Sequence, residues 1–285
     1  MNRELENERY LKILSAYLNF FESAVDKKTV EAVMRAGVDE KTAFTMALAE
    51  SMGVDVIKER EFFENYFTPS VKKLDVNDYY ADPFFKSIKL PDAKKGDFTF
   101  KYMTLKAYQA FVFDDFLYLS DGRVIPRIGF FDVDYRYPAI LQGEREWMTL
   151  LPNEINSQKK YVDAARGRVA TYGLGLGYYV YMVALKGEVS SVTAVDIDEN
   201  VISLFEEHIL PAFPDFARAK VKLVRADALK FGEGLRAGDF DYIYADIWHD
   251  AGDGVPLYKK LKQNEKFCPS AEYGYWIEDT MKYYM

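Results

Sequence analysis

The chain has 285 residues, with 37 Lys and Arg against 45 Asp and Glu, for a formal net charge of −8. One Cys cannot close an intramolecular disulfide, and two His with one Cys cannot build a structural zinc site, so neither a disulfide scaffold nor a bound metal is expected. The acidic balance lies evenly over both halves and argues against a protein built to grip phosphate backbones.

In chain order, the first ten residues hold Glu4, Glu6 and Glu8, the wrong charge for the head of a signal peptide. No run approaches the ~18 apolar residues that a membrane span needs, so a cytoplasmic location without membrane contact is expected. Residues 8–66 read as helices, with Leu11, Leu14, Leu18 and Phe21 on one face. Gly37-Val38-Asp39 and Gly53-Val54-Asp55 mark tight corners, each Gly ending one helix and each Asp capping the next. No helix there is basic-faced, so packing helices are favoured over a DNA reader. Residues 67–96 look irregular, broken by Pro69, Pro83 and Pro91. Phe98, Phe100, Tyr102, Phe111 and Phe113, with an Asp121-Gly122 turn, predict one small antiparallel sheet over about 97–141.

From Arg168 short apolar runs alternate with helical stretches. Strands are expected at 168–172, 191–196, 221–226, 241–247 and 272–277, and helices at 178–184, 200–209 and 256–265. That rhythm means βαβ units, hence an α/β fold with a parallel sheet and helices on both faces. The division expected is a helical region over 1–96, a small antiparallel β region over 97–145 and the α/β domain over 146–285.

Gly173, Gly175 and Gly177 lie between the first strand and its helix, where glycines let the backbone turn sharply and approach a ligand. Their spacing is G-x-G-x-G. A nicotinamide fingerprint needs a third glycine at 178 or 180, which are Tyr178 and Val180. Asp196 ends the second strand, where a carboxylate can accept both ribose hydroxyls. Asp227 ends the third and can accept from an adenine amino group. Asp246 ends the fourth. The bland readings are a packing turn for the glycines and helix caps for Asp196 and Asp227.

This constellation over about 168–285 resembles the class I S-adenosylmethionine-dependent methyltransferases, with an uncharacterised bacterial group among them. The resemblance implies a Rossmann-like domain, S-adenosyl-L-methionine as cofactor, and methyl transfer to a small molecule rather than to nucleic acid. It implies cofactor contacts from Gly173, Gly175, Gly177, Asp196, Ile197, Asp227, Ala228 and Asp246. Asp246 and His249 are the candidate catalytic residues, as acceptors of a substrate proton. Two features depart from that pattern. Thr171 stands where many members carry an acid, and the closing hairpin of strands six and seven is absent or replaced. Asp246, Asp250, Gly252, Gly254 and Pro256-Leu257-Tyr258 are also similar to the polyamine aminopropyltransferases, though the acids are four apart rather than three. Aminopropyl or aminobutyryl transfer is therefore the alternative, followed by a non-catalytic cofactor-binding protein.

Tyr172, Tyr178, Tyr179 and Trp248 fall near the expected cofactor, where aromatic faces can stabilise a sulfonium. Glu144, Glu146 and Glu154 read as a solvated face rather than a substrate mouth. The helices of 1–66 are candidates for a substrate lid or a homodimer interface.

Overall fold

The structure is a computed structural model that describes residues 3–20 and 25–285. Its first helices are Arg3–Phe20, Lys27–Met34 and Glu40–Ser51. Gly37 (φ +88°) and Gly53 (φ +79°) end the second and third in left-handed turns that a Cβ disfavours. Asp39 caps the third through the Thr42 N–H at 3.0 Å. Asp55 holds a turn instead, accepting from Ile57 and Lys58 at 3.1 and 2.9 Å. Of the expected apolar face, Leu14 is buried and Leu18 packs beside it, while Phe21 lies outside the described residues.

The chain divides into two units, 1–78 with 104–136 and 79–103 with 137–285, so its divisions do not follow the sequence boundaries at 96 and 145. The single antiparallel sheet expected over 97–141 is in fact two sheets. One, in the smaller unit, orders Val71–Lys73, Val124–Phe130 and Phe111–Tyr118. Its first pair is parallel, and its second turns at Asp121-Gly122, with Gly122 at φ +85°. Ile128 and Phe130 of this sheet pack on Phe44 and Leu48, and the Phe44 and Phe130 rings stack at 3.9 Å. The other sheet orders Lys94–Lys95, Phe98–Leu105, Tyr135–Gln142 and Arg145–Thr149. Alternation along a strand fixes which side is apolar but not which strand lies beside it. The irregular stretch 67–96 is also more ordered than its prolines imply. Pro83 opens a helix, Pro83–Ser87, behind the cap Asp82, because its missing N–H costs nothing at a first position.

The rest of the larger unit is the expected Rossmann-like α/β domain. Its strands are β1 (Gly167–Tyr172), β2 (Val189–Asp196), β3 (Val221–Arg225), β4 (Tyr242–Ala245) and β5 (Glu272–Tyr275). They run parallel in the order β3-β2-β1-β4-β5. Helix α1 (Pro152–Ala164) precedes β1, followed by α2 (Tyr178–Ala184), α3 (Glu199–Leu204), α4 (Ala228–Glu233) and α5 (Ala251–Asn264). Helix α5 starts five residues before the expected Pro256, because Asp250 and Asp253 form a capping box at its head. No described helix is long and apolar enough to cross a membrane.

Candidate functional site

Strand order reverses beside β1, so the turns after β1 and β4 part there and leave a crevice at the carboxyl ends of the sheet. A cavity of about 560 Å³ opens at this point, a size suited to a nucleotide-sized ligand. The glycine turn, the tips of β2, β3 and β4, helix α1, Trp276 and the strand Arg145–Thr149 all contribute to its lining.

The glycine turn is held from three sides. Gly173 sits at φ +91°, and a Cβ there would overlap the Asp246 carbonyl oxygen. Gly175, at φ +48°, lies under Met148, whose sulfur accepts the Leu176 N–H at 3.1 Å. Asp196 accepts from the Leu174 N–H at 2.9 Å and from Asp198 N–H at 2.9 Å. Burial raises the Asp196 carboxyl, and these backbone donors offset part of the rise. Asp196 therefore ties the turn to β2 while lining the cavity. Asp227 caps α4 through the Leu229 and Lys230 N–H groups, at 2.8 and 3.2 Å, and lines the cavity as well.

Ile197, Ala228, Asp246 and His249 also reach the lining. Gly177 does not: it is the left-handed residue before α2, and a Cβ there would strike the Phe205 ring, so it serves packing. Tyr179 and Trp248 line the cavity, whereas Tyr172 packs on Phe231 and Tyr178 bonds Asp82. Glu144 and Glu146 are exposed, as a solvated face would be, although Glu146 also borders the cavity; Glu154 is drawn into the lining, against that reading.

The second acid of the cavity is not Asp250, which is exposed and spent as the α5 cap. It is Glu154, on α1. Gln158, one turn further on, is fully buried, and its Nε2 donates to Glu154 Oε2 and Asp246 Oδ2, at 3.3 Å each. Burial pushes the Asp246 carboxyl up to about 7, and the nearby Tyr244 hydroxyl, outside hydrogen-bond geometry, offsets a little of this. Burial also raises Glu154 well above its usual range, with Asp246 repelling its charge. Both carboxyls accept from the one Gln158 Nε2, and burial disfavours the charged form of each.

His249 stands beside them. Its Nδ1 faces Asp253 Oδ2 at 3.2 Å, and its ring meets Trp147 edge to face at 5.3 Å. Burial alone would raise Asp253, but hydrogen bonds from the Asp250 and His249 backbone and the His249 ring hold it low. Trp276 is fixed by its indole N–H to Ser157 Oγ at 2.8 Å. The next residue, Ile277, is forced to φ +45°, a strained conformation for a β-branched side chain.

Four buried polar atoms on this lining have no protein partner: Gln158 Oε1, Tyr244 Oη, Trp248 Nε1 and His249 Nε2. Such atoms are rare in folded proteins, and these four belong to residues that line one cavity. Gln158, Tyr244 and Trp276 escaped the sequence reading. The one signal for the first was the i, i+4 spacing of Glu154 and Gln158 ahead of a strand.

Residues 168–265, about a third of the chain, match the spermine/spermidine synthase domain. No curated protein matches. Among solved structures, a precorrin-8w decarboxylase from Methanobacterium thermoautotrophicum is similar at 22% identity, covering 39% of this chain and 55% of that one, with a TM-score of 0.29. A putative O-methyltransferase from Klebsiella pneumoniae is 20% identical over 38% of this chain and 46% of that one, TM-score 0.27. Spermidine synthase from Thermotoga maritima is 14% identical over 43% and 48%, TM-score 0.33. The chain spans about half the length of these structures. Its larger unit carries a five-stranded parallel Rossmann-like sheet, and residues 168–265 are similar to the polyamine-synthase domain.

Proposed function

We propose that this chain is a transferase that moves a methyl group from S-adenosylmethionine to a small molecule. The observation that carries this reading is the cavity itself. At one carboxyl edge it joins a glycine turn, two acidic strand tips and an acid pair, and it leaves four buried polar atoms without partners. Asp196 has lone pairs beyond those its backbone donors use and can take ribose hydroxyls. Asp227, which uses Oδ1 for both cap bonds, can face an adenine amino group. The exposed Ile197 side chain offers an apolar surface beside them.

A bound S-adenosyl donor supplies an activated carbon on a positively charged sulfur. The protein then needs to align the nucleophile, exclude water and accept a proton. Tyr179 and Tyr244, stacked at 4.1 Å, and Trp276 wall the cavity with rings. Asp246 and His249 are the proton acceptors in reach. Asp253 orients the His249 ring through Nδ1 and leaves Nε2 for the substrate.

Transfer of an aminopropyl group from decarboxylated S-adenosylmethionine is the second reading. The match over 168–265 favours it. Thr171 does not separate the two readings: its hydroxyl is turned to the Gly173 carbonyl at 3.4 Å, and both donors keep the amino group that an acid at this position would hold.

Calorimetry with S-adenosylmethionine, its demethylated product and the decarboxylated donor tests both readings. Binding of any one is expected, and no heat at millimolar ligand refutes the function. Asp196→Ala should weaken binding by about 1–3 kcal/mol. Product mass from incubations with each donor separates the two transfers.

A further inference from the structure

The turn between β1 and α2 holds the amides of Gly173 to Gly177, and four of them are spent within the protein. Gly173 donates to the Val195 carbonyl at 2.8 Å, Leu174 to Asp196 at 2.9 Å, Leu176 to the Met148 sulfur at 3.1 Å and Gly177 to the Leu174 carbonyl at 2.7 Å. Among the described residues, only the Gly175 N–H of this turn makes no hydrogen bond, and Gly175 lines the cavity. The Asp196 and Met148 bonds flank it, so together they set the orientation of the peptide that carries it. Asp196 belongs to the same parallel sheet as β1. Met148 does not: it lies on the strand Arg145–Thr149 of the antiparallel sheet, and its sulfur fills the space that a Gly175 Cβ would need. A thioether is a weak acceptor and an oxidisable one. Met148 is half-buried, so part of the residue is open to solvent.

We infer that the Met148 thioether is a positioning group that sets the glycine turn for the donor, and that its oxidation by a peroxide releases the turn. This rests on the proposed transferase reading for the donor and goes beyond it by tying donor affinity to the redox state of one side chain. In the oxidation the peroxide O–O bond breaks and a sulfur lone pair forms the new S–O bond. The second peroxide oxygen leaves as water, so the thioether is oxidised as the peroxide is reduced. An oxygen on the lone pair that faces Leu176 would have to stand between sulfur and nitrogen. A hydrogen bond to that oxygen alone spans about 2.7–3.2 Å, so oxygen and sulfur do not both fit within the present 3.1 Å. An oxygen on the other lone pair leaves a positively polarised sulfur against the N–H, which repels it. Either way the contact is lost, and the turn or the strand shifts.

The test compares the full chain with two variants. Met148→Leu keeps an apolar side chain of similar volume and loses the acceptor, and Met148→Gln returns an oxygen acceptor. Each protein is measured before treatment and after hydrogen peroxide has been added and removed. Calorimetry reads S-adenosylmethionine binding, mass spectrometry reads which methionines are oxidised, and amide NMR of nitrogen-labelled leucine follows Leu176 without donor. Met34 and Met285 are exposed and oxidise alongside, but all three proteins carry them. Met148→Leu should lose about threefold to tenfold in donor affinity, the worth of one hydrogen bond, and Met148→Gln should recover part of it. Peroxide should weaken donor binding by a similar factor in wild type, move the Leu176 signal there, and change neither variant. Methionine sulfoxide reductase should reverse both effects. Unchanged donor affinity in Met148→Leu, equal peroxide losses in all three proteins, or a Leu176 signal unmoved by oxidation at Met148 overturns the inference. If untreated wild type binds no donor, the transferase reading falls, and the Leu176 signal alone decides whether Met148 sets the turn.

Discussion

Gly173→Ala is the sharpest test of how the site is assembled. Gly173 has φ +91°, so any side chain there incurs about 1–2 kcal/mol for the left-handed backbone. The new Cβ would lie well inside 3.0 Å of the Asp246 carbonyl oxygen and at 2.9 Å from its carbon. These are backbone atoms of the strand tip that carries the candidate acid, so they cannot swing aside as a flexible side chain would. Overpacking of this kind adds about 1–3 kcal/mol, for a total of roughly 2–5 kcal/mol. Gly238→Ala isolates the backbone contribution. Gly238 has φ +86°, and nothing lies within 4 Å of a Cβ there. Urea unfolding followed by tryptophan fluorescence should show Gly238→Ala losing about 1–2 kcal/mol and Gly173→Ala at least about 1 kcal/mol more. Equal losses would refute the claim that the glycine turn and the β4 tip are wedged together.

Stability should also depend on pH through the acid pair. Asp246, pushed up to about 7, and Glu154 are both raised above their unfolded values, so folding takes up protons. Their contribution is full below the ordinary carboxylate range and is lost as pH rises through about 7. Asp246→Asn should therefore lose less stability than wild type between pH 5 and pH 8 in urea midpoints; parallel slopes would count against a raised Asp246 carboxyl. Asp250→Ala removes the α5 cap and should cost about 1 kcal/mol in the same assay, and an unchanged midpoint would show that the capping box contributes nothing. Trp276→Phe keeps the ring but loses the bond to Ser157 and should cost about 1 kcal/mol, so a neutral effect would mean that this bond does not fix the cavity wall.

The sequence by itself determined what short-range chemistry dictates. Strand and helix alternation from residue 168 follows from periodicity and from glycines that only left-handed turns require, and so does the line of acids at strand ends. Asp39 as a cap, the Asp121-Gly122 turn and α2 at 178–184 were legible for the same reason: their partners lie within a few residues. Only tertiary structure decided who meets across a long separation. It parted the 97–141 strands into two sheets, because alternation carries no information on neighbours. It set Gly177 against Phe205, off the cavity. It also chose the second acid of the site, since Gln158 reaches Asp246 across 88 residues and brings Glu154 with it, while Asp250, close in sequence, is consumed as a cap. A carboxylate's role depends on the donors that surround it, and those donors come together only when the sheet edge, α1 and the glycine turn close on the same cavity.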